Sequence, residues 1–256
     1  MPQLTATVGQ AAQWVRRTGV PLTDWNPVYR ALAGAAAGSP AALPEASGAG
    51  LLERQFTASA LLVVTVMHAE RARRLRIGLA RTTATLESAD GDQPSQWSEA
   101  STRDAARRIS ILLDETGMGL GAPHLEVRRD SEGLSLTPSQ RGAVQSALRR
   151  GVLASDALSA LPGLDDSLQD ALTATGPRLS LSLTLHDPLG VPAQLPVTWS
   201  RLWAAGGSGL YRLDRPSSHS PSIHPVGRGD VAGTLHPILE QGLRFAAACQ
   251  AREDER

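Results

Sequence analysis

The sequence predicts an α+β fold: a central, mainly antiparallel sheet built from two pseudo-symmetric strand-strand-strand-helix halves, with flanking helical bundles. Three observations carry that expectation. Arg178–His186 reads RLSLSLTLH, where Leu179, Leu181, Leu183 and Leu185 alternate with Ser180, Ser182, Thr184 and His186. A period of two over this length is a strand with one apolar and one polar face. Ala60–His68 (ALLVVTVMH) is apolar almost throughout, which suits a central strand covered on both sides. Each of these runs leads through further strand-like segments into a helix with the same spacing of apolar residues: Ala105, Ile109, Leu112 and Leu113 in one unit, Val231, Leu235, Ile238 and Leu239 in the other.

Taken in order, residues 1–55 read as short helices joined by small-residue loops. Val8, Ala11, Ala12 and Val15 make one stripe, Asp24 is a candidate start for a helix to Leu32, and Gly38–Gly50 has linker composition. In the first half, 56–116, Arg74–Leu79 alternates, Thr83–Leu86 continues as a third strand, and Asp90-Gly91 marks a turn. Ser101 or Thr102 then caps the helix, which Gly117 ends. The connector, 117–176, is mainly helical. It holds a short hairpin from Leu125–Val127 with Leu134 and Leu136, a helix opened by Thr137-Pro138, and two shorter helices split by Pro162-Gly163. In the second half, 177–249, Asp187-Pro188 and Pro192 mark a turn, and strands at 197–203 and 210–213 are joined by a glycine-rich hairpin. A helix capped by Asp230 follows, in which Pro237 introduces a kink. The last residues, 250–256, form a charged tail. The whole is expected to be one domain.

Composition narrows the class. At 256 residues with 41% apolar content the chain can bury a real core, and 4% aromatics make that core one of Leu, Val and Ala. Basic and acidic residues balance at 25 each, which argues against a dedicated nucleic-acid binder. Every basic residue is arginine, a GC-rich codon signature. The lone Cys249 forms no intrachain disulfide, no apolar run is long enough to span a bilayer, and the first residues lack signal-peptide order. A cytoplasmic protein without membrane insertion is expected.

No set of residues announces a reaction, and no cofactor or metal is expected. Gly117-x-Gly119-x-x-Ala122 follows a helix rather than a strand, so it reads as a helix end and not a dinucleotide fingerprint. Gly206–Leu210 lacks the final glycine of a nucleophile elbow and reads as a hairpin turn. His219 and His224 lie five apart around Pro221, looser than helical metal pairs, and His68 and His186 sit at strand ends. Arg71, Arg73, Arg74 and Arg76 read as a charged edge that blocks sheet-to-sheet pairing. Trp199, Arg201 and Trp203 share one strand face beside Val197, and Trp and Arg are the residue types enriched at binding hot spots. With Tyr211 they form the candidate partner-binding set.

The second half resembles the C-terminal half of the EspG family, the type VII (ESX) secretion-associated chaperones of actinobacteria. The residues that carry the resemblance are Arg178–His186, then Gly209-Leu210-Tyr211-Arg212-Leu213, then Ile223-His224-Pro225-Val226 leading into the helix from Asp230. The first half is similar more loosely, through Leu61–Met67, Leu75–Ala80, Thr83–Glu87 and the helix from Thr102. The N-terminal helical region is short beside the family's. The resemblance implies pseudo-twofold halves and a non-enzymatic chaperone that shields the apolar tip of PPE-like clients, bound as PE–PPE pairs. It brings no catalytic residues. Two rival readings are a small hydrolase-type enzyme using His186/Asp187 or His219/His224, and a self-associating structural or regulatory module, such as a homodimer.

Overall fold

The computed structural model describes residues 3–32, 48–123, 133–190, 195–214 and 222–255. Nine strands form one sheet in the order β1-β5-β4-β3-β2-β6-β7-β8-β9, antiparallel throughout. They are β1 (Gln3–Ala6), β2 (Ala60–His68), β3 (Arg71–Leu79), β4 (Thr83–Asp90), β5 (Ser95–Ser101), β6 (Arg178–Leu185), β7 (Val197–Ala205), β8 (Leu210–Asp214) and β9 (Ser222–Val226). The two strands that anchored the prediction lie side by side at the centre, with Ala60 opposite Leu185 and Val66 opposite Leu179. From that seam each half runs outward through the same series of elements. β2–β5 end in helix α4 (Thr102–Glu115), and β6–β9 end in helix α8 (Gly229–Asp254).

Each half therefore has four strands, one more than expected. Ser95–Ser101 (SQWSEAS) carries few apolar residues and Ser222–Val226 contains Pro225, so neither shows the apolar alternation that marks a strand. β1, also unforeseen, pairs with β5 and extends the sheet.

The pleat sorts side chains onto two faces. Leu62, Val64, Val66, Leu75, Ile77, Leu179, Leu181 and Leu183 face α4 and α8 and make the main core. On the other face, Leu61, Trp97 and part of Val63 pack under α1 (Val8–Arg17), α2 (Pro27–Arg30) and α3 (Ala49–Phe56). The second core is aromatic: Tyr29 stacks on Phe56 at 4.1 Å between ring centroids, and Trp25 meets Phe56 edge-on at 4.9 Å. α5 (Pro138–Arg149), α6 (Ala154–Ser159) and α7 (Asp166–Leu172) form the connector, and α7 reaches β9.

Helix ends follow local chemistry. Ser101 caps α4 and Thr137 opens α5, as expected, and Thr137 also forms a full capping box with Gln140. At Gly117 (φ 77°) the Met118 and Gly117 amides donate back to Leu113 and Asp114, closing α4 with a left-handed residue. Two expectations are corrected. Asp24 lies in a short 3-10 turn, and Asn26 caps α2 instead, its Oδ1 accepting from the Val28 amide. Asp230 sits one residue inside α8 rather than at its cap, and its carboxylate points inward. α8 is a single helix of 26 residues that includes the solvent-facing Pro237. Gly242 lets it lie close on the sheet, since a Cβ there would sit 2.6 Å from Leu79 Cδ1. Most of the Gly38–Gly50 linker and the Leu125–Val127 arm of the expected hairpin lie outside the described residues.

The arginine run is also corrected. β3 is an interior strand, so Arg71, Arg73, Arg74 and Arg76 do not guard an edge. Three of them pair with carboxylates of neighbouring elements: Arg71 with Asp90 at 2.6 Å, Arg73 with Glu115 at 2.6 Å, and the buried Arg76 with Glu87 at 2.9 Å.

The β2–β3 hairpin turns through Ala69 (φ 47°) and Glu70 (φ 64°), two consecutive left-handed residues in a place suited to Asn-Gly. Replacing them together, Ala69→Asn with Glu70→Gly, is expected to raise stability by about 1–2 kcal/mol. A urea midpoint no higher than that of the native chain would contradict this account of the turn.

Candidate functional site

β7 is well inside the strand order, yet among the described residues its first half is paired on one side only. β8 pairs only with Leu202–Ala205, so among the described residues Val197–Arg201 hydrogen-bond on one side, to β6. The exposure there is unusual for an interior strand: Val197 is 63% exposed, and Leu195, just before the strand, 84%. Trp199 is half-buried, and the Arg201 guanidinium lies over its ring at 5.3 Å from the centroid. Stacking of this kind holds a long cationic side chain in one place.

The four candidate partner-binding residues separate into two levels. Trp199 and Arg201 reach the surface; Trp203 and Tyr211 are buried, at 1% and 5% exposure. Trp199, Arg201 and Trp203 share the face under α8, as their spacing predicts, while the register puts Tyr211 on the opposite face. Trp203 donates its Nε1–H to Asp230 Oδ2 at 2.9 Å. Arg212 donates to Asp230 Oδ1 at 2.6 Å and to Asp214 Oδ2 at 3.0 Å. Arg201 lies 3.4 Å from Asp214 and donates to Thr234 Oγ1 at 3.4 Å. The result is one alternating chain, Arg201–Asp214–Arg212–Asp230–Trp203, that ties the surface pair to the base of α8. Burial lowers the Arg201 pKa, partly offset by Asp214.

Asp214, Arg212 and Thr234 were not foreseen as part of this site. The first two alternate with Tyr211 and Leu213 along β8, so the pattern placed them on one face; only the sheet register brought that face against β7. Asp170 was also missed, and Tyr211 is the residue that finds it. The Asp170 carboxylate accepts from the Gly207 amide at 2.8 Å, the Ser208 amide at 3.0 Å, the Ser208 hydroxyl at 2.7 Å and the Tyr211 hydroxyl at 2.7 Å. Those donors, the Tyr211 hydroxyl above all, hold its pKa far below the usual carboxylate range. The glycine-rich segment is the hairpin turn expected, with the Gly206 amide donating to Gly209 at 2.8 Å.

The described candidates His186 and His224 stay apart. His186 follows β6 and is buried; burial, then Arg30, lowers its pKa. His224, in β9, contacts Ser222 Oγ at 2.9 Å and lies 3.6 Å from Asp214. Strand spacing and rise put the two histidines on opposite faces and roughly 25 Å apart. His219 lies outside the described residues. Asp187 turns toward α8 and pairs with Arg252 at 2.5 Å. Among the described residues no three His, Cys, Asp or Glu side chains gather as a metal site would require. No helix among them is long and apolar enough to cross a membrane.

No protein-family pattern matches the chain, and no curated protein matches it in sequence. Among solved structures it is similar to the Mycobacterium tuberculosis type VII secretion system chaperone EspG5 in complex with a PE25–PPE41 dimer. The two are 12% identical, the match covers 96% of this chain and 95% of that one, and the TM-score is 0.46. So loose an overlap assigns no residue a role and no partner to this chain.

Proposed function

We propose that the protein is a cytosolic, non-enzymatic chaperone or adaptor of type VII secretion, which binds PPE-like clients and shields their apolar tip. The observation that carries the reading is the exposed first half of β7, which among the described residues pairs on one side only. Leu195 and Val197 stand in solvent beside a Trp199–Arg201 pair already held in place by Asp214 and Thr234. An apolar strip beside a preorganised Trp–Arg pair fits a protein surface, because exposed aliphatic area favours association and an ordered anchor loses little entropy on binding. The residue patterns of both halves resemble those of the EspG chaperones, which supports the same reading.

Co-expression with PE–PPE pairs encoded near this gene tests it, with recovery of the pair on the tagged protein as the readout. Val197→Glu and Trp199→Ala are each expected to reduce recovery at least tenfold, since central truncations at hot spots cost 2 kcal/mol or more. Val197 is mostly exposed, so Val197→Glu should leave the melting temperature close to native, whereas Trp199 also packs against the main core and Trp199→Ala is expected to lower it. Failure of every pair to co-purify would sink the chaperone reading. Recovery unaffected by both substitutions would remove the site from β7.

A further inference from the structure

We propose that α7 is a built-in occupant of a second partner-binding groove, latched there by the Asp170 carboxylate, and that a partner segment carrying a carboxylate between two aliphatic side chains displaces it. The groove lies on the face opposite α8. Leu213 of β8 and Ile223 of β9 form its floor, Leu134 and Leu136 one wall, and Leu168 and Leu172 of α7 the other, with Arg141 of α5 also lining it. An open depression of about 320 Å³ continues beside the two leucines of α7. Leu168 is buried at 3% exposure while Leu172 is only partly covered, so this seven-residue helix is seated by one full aliphatic anchor.

Polar contact adds to that anchor. The turn between β7 and β8 presents two amides and a hydroxyl, and Tyr211 adds a second hydroxyl. All four converge on one carboxylate, the arrangement of an anion nest. The carboxylate it holds belongs to the connector, 37 residues before the turn, and the bonds from Gly207 and Ser208 are solvent-accessible. An exposed nest can exchange its anion without unfolding the sheet. The resident occupant also specifies the class of its competitor: Leu168, Asp170 and Leu172 show that a suitable ligand pairs aliphatic side chains with one acid.

Acid is not the trigger. A carboxylate whose folded pKa is depressed contributes stability above its unfolded pKa, and that contribution is lost only as pH falls through the folded value. Since the latter lies far below the ordinary carboxylate range, the latch stays closed at any mildly acidic pH. A competing carboxylate is required. The inference rests on the partner-binding reading only for what opens the latch in the cell.

The test needs no client. Hydrogen exchange is measured for the native chain and for Asp170→Ala. A labelled, end-blocked peptide with the sequence of residues 165–174 (DDSLQDALTA) and its counterpart carrying Asp170→Ala are titrated against both proteins. In Asp170→Ala, exchange in α7 should quicken at least tenfold while β2 and β6 stay protected. The native-sequence peptide should bind Asp170→Ala at least tenfold more tightly than it binds the native chain, and the substituted peptide should bind neither. Unchanged α7 exchange overturns the latch. Equal binding of the peptide to both proteins, or none to either, overturns the groove. Should Asp170→Ala lose protection throughout, Tyr211→Phe with Ser208→Ala decides, since it removes two donors and preserves shape: quickened α7 exchange supports the latch and native exchange rejects it. Failed recovery of PE–PPE pairs would leave these outcomes standing, and the converse holds.

Discussion

Glu87→Ala is expected to destabilise the protein by about 3–5 kcal/mol, because it leaves a buried guanidinium without its counter-charge. Glu87 is 1% exposed and Arg76 7%. One carboxylate serves four contacts: Oε1 accepts from Arg76 at 2.9 Å and Ser95 at 3.0 Å, and Oε2 from Arg76 at 3.0 Å and Tyr29 at 2.5 Å. Gln55 donates to the Tyr29 hydroxyl at 2.8 Å, and Arg76 lies over the Tyr29 ring. Burial, then the nearby Glu87 charge, pushes the Tyr29 pKa well above its ordinary value, so the phenol stays a donor. This network joins α2 and α3 to β3, β4 and β5, and its loss should release the N-terminal helices first. The double variant Arg76→Met with Glu87→Leu removes both charges and replaces them with apolar volume. It should lie much closer to native than Glu87→Ala does. Urea unfolding of the three proteins measures both, and a Glu87→Ala loss below about 1 kcal/mol would show that the pair is not isolated from water.

Asp230→Ala is expected to cost about 3 kcal/mol, toward the lower end for a buried ion pair because Arg212 keeps Asp214. Two donors lose their acceptor: Trp203 Nε1, fully buried under α8, and Arg212. The first turn of α8 also loses an anion near its positive end. In a domain of this size about 3 kcal/mol corresponds to a melting temperature lower by roughly 6–12 °C. Asp230→Asn retains an acceptor for Trp203 and should recover part of that loss. A native melting temperature for Asp230→Ala would mean that Trp203 is held by packing alone.

Much of the sheet could be read from the chain because its centre has a simple chemical pattern. β6 alternates without error, and Leu179, Leu181 and Leu183 of that alternation are buried, although Thr184 is buried too and Leu185 only partly covered. α4 and α5 begin at Ser101 and Thr137, as short polar side chains preceding helical spacing imply. The pattern failed where burial is polar. β5 buries Ser95 and β3 buries Arg76, so apolar periodicity passed over the first strand and misjudged the second as an exposed edge. The binding set shows the same divide. Trp199, Arg201 and Trp203 share a face because side chains alternate, but nothing local to them indicates that α8 covers Trp203 and leaves Trp199 half-open.

What the sequence determined by itself is the local order: two leucine-rich strands, their following helices, the capped helix starts, and an α+β class in which they pack. Those follow from periodicity and from side chains bonding to their own neighbouring backbone, interactions of short range along the chain. The pairing of β2 with β6, the addition of β1 and β5, the inward turn of Asp230 and the seating of Asp170 in a turn 37 residues away were decided by tertiary structure. Each joins groups far apart in sequence. A buried charge finds its partner only when both are placed by the same core, so its role is written in the register between strands and not in any single segment.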